Sequence, residues 1–160
     1  MNKIALAVLI ILIIVGVSYF AYNYFYFGTL NVYLQDQPAS VKIYFTISSI
    51  MVHRVNGSWI TITNNNITIL LSPNMTFLAS SRIPVGEYNE IFLLISKATV
   101  NIGNLNITAK LPSEVFKIHI INGLKMDPAS THSILISLPT ITYSNGNIII
   151  NPSVTAKVIS

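Results

Sequence analysis

The side chains able to do chemistry are few and scattered. The chain has three histidines, His53, His119 and His132, and five acids, Asp36, Glu87, Glu90, Glu114 and Asp127. None of the histidines has a second His or a carboxylate at the close spacing of the helical zinc motifs. Only long-range convergence could assemble a metal site, and a lone His in a strand is more often a packing or hydrogen-bonding group. Carboxylate-driven hydrolysis needs two acids converging across a cleft. Glu87 and Glu90 are near in sequence, but Glu87 sits beside Gly86 in a turn, where an acid is ordinarily solvated. Asp36 and Asp127 lie next to or one residue from a proline, which suits turns; a calcium site from Asp36 and loop carbonyls is the alternative. The absence of Cys removes thiol catalysis, disulfides and Cys-ligated zinc together. No Gly-x-Ser-x-Gly elbow, P-loop or dinucleotide fingerprint occurs. The expectation is a protein with no catalytic residues, no cofactor and no metal. Two residues could serve recognition, Trp59 and His53, although an aromatic next to a hairpin more often packs across strands.

The charge pattern is equally spare. Only 9% of residues are charged, against about 25% in an ordinary soluble protein. The net +4 is spread over single lysines and arginines, whereas a nucleic-acid binder concentrates them on one face. No nucleic-acid partner is expected.

These residues hang behind an apolar opening. Ile4–Phe27 carries no charge, and about 20 apolar residues as helix cross a bilayer core. Its end is crowded with Tyr19, Phe20, Tyr22, Tyr24, Phe25, Tyr26 and Phe27, amphipathic rings suited to the headgroup level. A cleavable signal peptide has a shorter apolar region and small residues at its cleavage site, where this chain has bulky rings. A pilin-type leader wants a small residue after the basic one, and here Ile4 follows Lys3. The expectation is an uncleaved anchor, residues 1–28, with the lipid bilayer as its partner. Lys3 without a nearby acid places the N-terminus in the cytoplasm. Asn-x-Ser/Thr acceptor sites at Asn56, Asn66, Asn74 and Asn106 all lie beyond the helix and agree with an extracytoplasmic remainder.

From Gly28 onward the periodicity changes to two. Leu30, Val32 and Leu34 share one face of the first strand, and Val41, Ile43, Phe45 and Ile47 share one face of a long second strand ending near Arg54. Asp36-Gln37-Pro38 reads as the turn between them. Asn56-Gly57 predicts a two-residue type I′ hairpin returning through Trp59–Thr63. Further strands are expected at Ile67–Leu71, Met75–Ser81, Tyr88–Val100, Asn106–Leu111, Phe116–Ile121, Ser133–Leu138, Asn147–Ile150 and Ser153–Ile159. Asn122-Gly123 and Asn145-Gly146 read as turns, and Tyr88, after Pro84-Val85-Gly86, as a corner tyrosine pinning a loop through its hydroxyl. Many short strands between turn signals predict an all-β ectodomain over residues 29–160: a two-sheet β-sandwich, immunoglobulin- or transthyretin-like, behind one N-terminal transmembrane helix.

The run Gly28-Thr29-Leu30-Asn31-Val32-Tyr33-Leu34-Gln35-Asp36-Gln37-Pro38 resembles the opening of the prokaryotic family labelled domain-of-unknown-function 4382. Three more blocks follow in the family's order: Ile47–Arg54 with its Val-His, Gly57-Ser58-Trp59-Ile60, and Ile83-Pro84-Val85-Gly86-Glu87-Tyr88. The resemblance implies a secreted or membrane-attached β-domain and no particular reaction. Three roles remain in view. The first is a non-catalytic structural or interaction protein of the cell envelope; the second, an accessory subunit of a membrane enzyme or transport complex; the third, a glycan- or metal-binding surface module. The first two imply an envelope or membrane-complex protein partner.

Overall fold

The computed structural model describes residues 2–36, 41–139, 141–150 and 153–160. The expected turn residues Gln37 and Pro38 fall outside them.

Helix α1 (Lys3–Tyr26) opens on Asn2, whose Oδ1 accepts from the Ile4 amide at 3.3 Å. This supplies one of the partners that a helix N-terminus lacks. The helix is apolar on every side and buries none of its residues. It is long and apolar enough to cross a membrane.

Without an intervening loop the chain becomes β1 (Phe27–Gln35). There follow β2 (Lys42–Arg54), β3 (Trp59–Thr63), β4 (Ile67–Leu70), β5 (Thr76–Pro84) and β6 (Gly86–Ile102). The rest are β7 (Leu105–Ala109), β8 (Val115–Met126), β9 (Thr131–Ser137), β10 (Ile141–Ser144), β11 (Asn147–Ile150) and β12 (Thr155–Val158). The domain is thus all-β behind a single N-terminal helix. Its hydrogen-bonded path runs β3-β2-β6-β8-β12-β9-β1-β5, with β4 added to β2, β7 added to β6, and β10-β11 as a separate ribbon. The ends of the path, β3 and β5, lie against each other, so the sheet curls round one core and is close to a barrel. The expected division into two separate sheets is replaced by this continuous path, because β8 is shared: it pairs β6 antiparallel and β12 parallel.

The core is filled from both sides of that curl by Leu30, Val32 and Leu34 of β1, Ile43, Phe45 and Ile47 of β2, and Ile91, Leu93 and Ile95 of β6. The faces expected for β1 and for the first half of β2 are those observed. β1 is flanked by β5 on one edge and β9 on the other. Its backbone groups are therefore committed, and it has no edge to lend to a neighbouring chain.

Two expectations about turns need correction. Asn56-Gly57 is not a two-residue type I′ turn, since only Gly57 has positive φ, at 100°. Instead Gly57 N donates to Arg54 O at 2.9 Å and Arg54 N to Ser58 O at 2.8 Å. That is the three-residue loop with a left-handed glycine. The type I′ geometry occurs at Asn145-Gly146, φ 50° and 81°, and it pairs β11 with β10, a strand absent from the sequence reading. Asn122-Gly123 does not end a strand: both residues have positive φ inside β8. They belong to a bulge in which Ile120–Gly123 stand opposite Asn89 alone.

Tyr88 is fully buried, and its hydroxyl donates to Pro84 O at 2.6 Å, as expected of a corner tyrosine. Arg54 closes the same corner by donating to Val85 O at 3.0 Å. Burial raises the Tyr88 pKa above its ordinary value, while the Arg54 charge pulls the other way. Below about pH 10 both folded and unfolded chains hold the phenolic proton, and the stabilisation is complete. As pH rises, the unfolded chain ionises first, so stability falls through the folded pKa. Tyr88→Phe is expected to cost about 1–3 kcal/mol near pH 7, by orphaning the Pro84 carbonyl. It should also flatten the fall of melting temperature as pH rises above about 10. A variant that loses stability in parallel with the parent across that range would show that Tyr88 does not titrate the fold.

Candidate functional site

The candidate residues come together on the outer face of β3-β2-β6-β8, and bulges in the backbone decide which side chains stand there. In β2 the residues Ile43, Phe45 and Ile47 point inward, yet further along the buried residues are Ile50 and Val52. The register slips against β6 around Ser48, and an extra residue turns the rest of a strand over. Two serines accommodate the slip: Ser48 Oγ donates to Leu94 O at 3.3 Å, and Ser49 Oγ to Asn64 Oδ1 at 2.9 Å. Without it His53 would share the inward face of Phe45. A second bulge at Asn89 keeps Tyr88 inward while Glu90 and Phe92 face out.

Two rows result. Across the strands Trp59, His53, Glu90 and His119 are register neighbours, and beside them lie Thr61, Met51, Phe92 and Lys117. The hairpin correction matters here. A two-residue loop would pair His53 with Ile60, whereas the three-residue loop sets His53 opposite Trp59. Trp59 reaches diagonally over β2 to lie 3.9 Å from Phe92 between ring centroids, with an interplanar angle of 31°. The His53 ring is 4.4 Å from the indole. Lys117 Nζ sits 5.3 Å from the centre of Phe92 and 3.8 Å from Glu90 Oε2. The His53 Nδ1 donates to Asn89 Oδ1 at 2.8 Å. The face is thus an aromatic ridge rimmed by imidazole, carboxylate and ammonium groups.

What this arrangement can do is bind. Aromatic anchors inside a polar rim are the composition of interaction surfaces. Trp59 and His53, the two recognition candidates, are in contact, and Phe92, Asn89, Glu90 and Lys117 join them. The signal for Phe92 was there in the alternation of β6, but the bulge at Asn89 hides which face it takes. Among the described residues no three His, Asp or Glu side chains are gathered as a metal set. His132 lies on β9, with Nδ1 3.0 Å from Ser160 O. Asp127 pairs with Lys125 at 3.8 Å in an exposed turn, Glu87 and Glu114 are exposed, and Asp36 is buried at the end of β1. The acceptor residues Asn56, Asn66, Asn74 and Asn106 are all exposed. Asn56 Oδ1 accepts from Ser58 N at 3.2 Å and from Ser58 Oγ at 3.0 Å.

The second feature is the joint between helix and domain. Arg82 of β5 donates to Asn23 Oδ1 at 2.9 Å and to Asn23 O at 2.6 Å, and its guanidinium stands 5.1 Å from the centre of the Phe27 ring. Val85 N donates to Tyr26 O at 2.9 Å, and Ala129 N to Phe27 O at 3.0 Å. A cation on a carbonyl of the last helical turn also suits the helix dipole. Gly28 fits because it has no side chain: a Cβ there would run into Met126 and lie 3.0 Å from Asp127 O.

Fold and face together define an all-β, barrel-like domain carried directly on one apolar helix. The chain belongs to the family described as domain of unknown function (DUF4382), whose model matches residues 27–152. The match begins at the first residue of β1, just past the helix. No curated protein matches the chain. Among solved structures it is similar to one described as a candidate cell adhesion protein of Bacteroides ovatus ATCC 8483, at 9% identity and a TM-score of 0.25. That similarity covers 85% of this chain and 46% of the other; at this level it carries no argument about function, and this chain spans less than half the length of that protein.

Proposed function

We propose that this chain is a single-pass, membrane-anchored interaction protein of the cell envelope, without catalytic activity. In this reading α1 spans the cytoplasmic membrane with Lys3 inside, and the β-domain stands outside as a curled form of the β-sandwich. The domain presents the Trp59–Phe92 ridge to a protein partner, and exposed Asn56, Asn66, Asn74 and Asn106 are available for glycans. The observation that carries it is the joint. A predominantly apolar helix runs without a linker into β1 and is tied to β5 through Arg82, so the domain is held at a fixed attitude beside whatever the helix occupies. The accessory-subunit reading would want a polar group in the helix free for another subunit. Of the two candidates, Ser18 and Asn23, the second is already engaged, with Nδ2 donating to Tyr19 O at 2.9 Å and Oδ1 accepting from Arg82.

The chain has no native Cys, which gives a clean background for single-cysteine labelling. In intact cells a membrane-impermeant maleimide is expected to label Asn65→Cys, in the β3–β4 loop, and to spare Asn2→Cys until the cells are opened. Labelling of Asn2→Cys alone would reverse the topology and remove the extracytoplasmic reading. In the same membranes a photo-crosslinking residue at Thr61, on the ridge, is expected to capture a defined protein partner that the same residue at Thr142, on β10, does not. Equal capture from both positions would take the docking role away from this face.

A further inference from the structure

The foot of the domain carries a second binding feature. A cleft of about 260 Å³ opens where α1 meets β1 and β5, lined by Phe20, Asn23, Tyr24, Phe27, Arg82 and Ser130 among others. Its one charged lining group is Arg82. A guanidinium has five N–H donors, and Asn23 takes one bond from each terminal nitrogen, so donors remain for a ligand. These donors suit an anion with two or more acceptor oxygens, a carboxylate or a phosphate, which an Arg fork binds bidentately.

The height of the cleft tells which anion. From Lys3 to Asn23 the helix rises about 30 Å at 1.5 Å per residue, which is the thickness of a bilayer's hydrocarbon core. With Lys3 at one interface, Asn23 and the Arg82 bonded to it stand at the other, among the headgroups. Phe20 and Tyr24, which line the cleft, are exposed on the helix at 69% and 49%, and Phe20 lies one turn nearer the membrane. Acyl chain could lie along these rings while phosphate meets the guanidinium. The nearby acid Asp127 is already paired with Lys125.

We propose that this cleft binds the phosphate of one membrane phospholipid, held by Arg82 with Phe20 and Tyr24 against its chains. The proposal rests on α1 spanning the bilayer. Lipid binding would then lock the domain's attitude to the membrane through the same arginine that caps the helix.

The full chain in a mild detergent is titrated with phosphatidylglycerol, phosphatidylcholine, diacylglycerol or inorganic phosphate, and bound species are counted by native mass spectrometry. Both phospholipids are expected to give one retained molecule per chain, and diacylglycerol, which lacks the phosphate, to bind at least about tenfold more weakly. Arg82→Gln should reduce phosphatidylglycerol to the diacylglycerol level. Asn23→Asp keeps and strengthens the bond to Arg82, so the fold is preserved, but it occupies the cation and should also lose the lipid. Lys42→Gln, at the opposite end of the domain, should change nothing. Phospholipid binding that persists in both Arg82→Gln and Asn23→Asp would overturn the site. Diacylglycerol bound as well as phospholipid would remove the phosphate from the recognition, and displacement by millimolar inorganic phosphate would make this a free-anion site and overturn the lipid assignment. Failure of the anchor reading shows separately, as extraction of the chain from native membranes by alkaline carbonate.

Discussion

Leu9→Arg combined with Ile13→Arg is expected to move the chain from the carbonate-resistant membrane pellet into the soluble or aggregated fraction. Near the centre of a spanning helix each Leu, Ile, Val or Phe contributes about −0.3 to −0.6 kcal/mol to insertion, and each Arg opposes it by about 2.5–3.5 kcal/mol. The two substitutions together shift the balance by roughly 6–8 kcal/mol, which is as large as everything the remaining apolar residues supply. Leu9 and Ile13 are one turn apart and both exposed, so neither touches the domain, and the β-fold should be untouched. The paired control, Leu9→Ala with Ile13→Ala, keeps the segment apolar and should stay in the pellet. Retention of the double-Arg chain in the pellet, with the domain still folded, would mean that α1 is not what holds the protein to the membrane.

How much of this was legible in the sequence depends on local or non-local causes. The helix, the inward faces of β1 and of the first half of β2, and the Tyr88 corner rest on periodicity and short-range spacing, and they were readable. The failures share another cause. Ser48 and Asn89 are extra residues in β2 and β6, and each reverses the side-chain alternation after it. Strict alternation continued beyond Ile47 would put His53 on the face of Phe45. The structure puts His53 on the opposite side, next to Trp59. A bulge of this kind has no strong residue signature, since serine and asparagine are also ordinary strand-edge and turn residues. The Asn56-Gly57 dipeptide misled for a related reason. It signals a hairpin correctly, but the one-residue difference between its two loop forms decides whether Trp59 meets His53 or Arg54. The continuous, barrel-like path was illegible because it depends on the parallel pairings β1–β9 and β8–β12, which join strands far apart in the chain. Arg82, the residue that ties helix to domain, looked like one more solvated cation. Only pairing of Thr29 with Arg82 in the β1–β5 ladder brings it to Asn23.

The face on which a residue stands also sets the second large effect. Phe45→Ala is expected to lower stability by about 3–5 kcal/mol, a substantial part of the roughly 5–15 kcal/mol that holds a domain of this kind together. Phe45 is 1% exposed, between Ile43 and Ile47 on the inward face of β2, with Ile69 of β4 and Ala98 of β6 as its cross-strand partners. Ala98 is fully buried and small, so it cannot expand into the space a missing ring leaves. The surrounding isoleucines are β-branched and stiff at χ1, which also resists collapse. The cavity therefore persists, and its cost adds to the lost transfer energy of the ring. Phe77→Ala makes the comparison: that ring is 53% exposed on β5 and only edges onto Tyr33, so its loss should cost less than about 1.5 kcal/mol. Thermal melts in one detergent measure both. A drop of roughly 10 °C or more for Phe45→Ala, with a small one for Phe77→Ala, is the expected pair. Equal drops would mean that the inward and outward faces of the curl are not what the register makes them, and the outer ridge carrying Trp59 and His53 would lose its assignment with them.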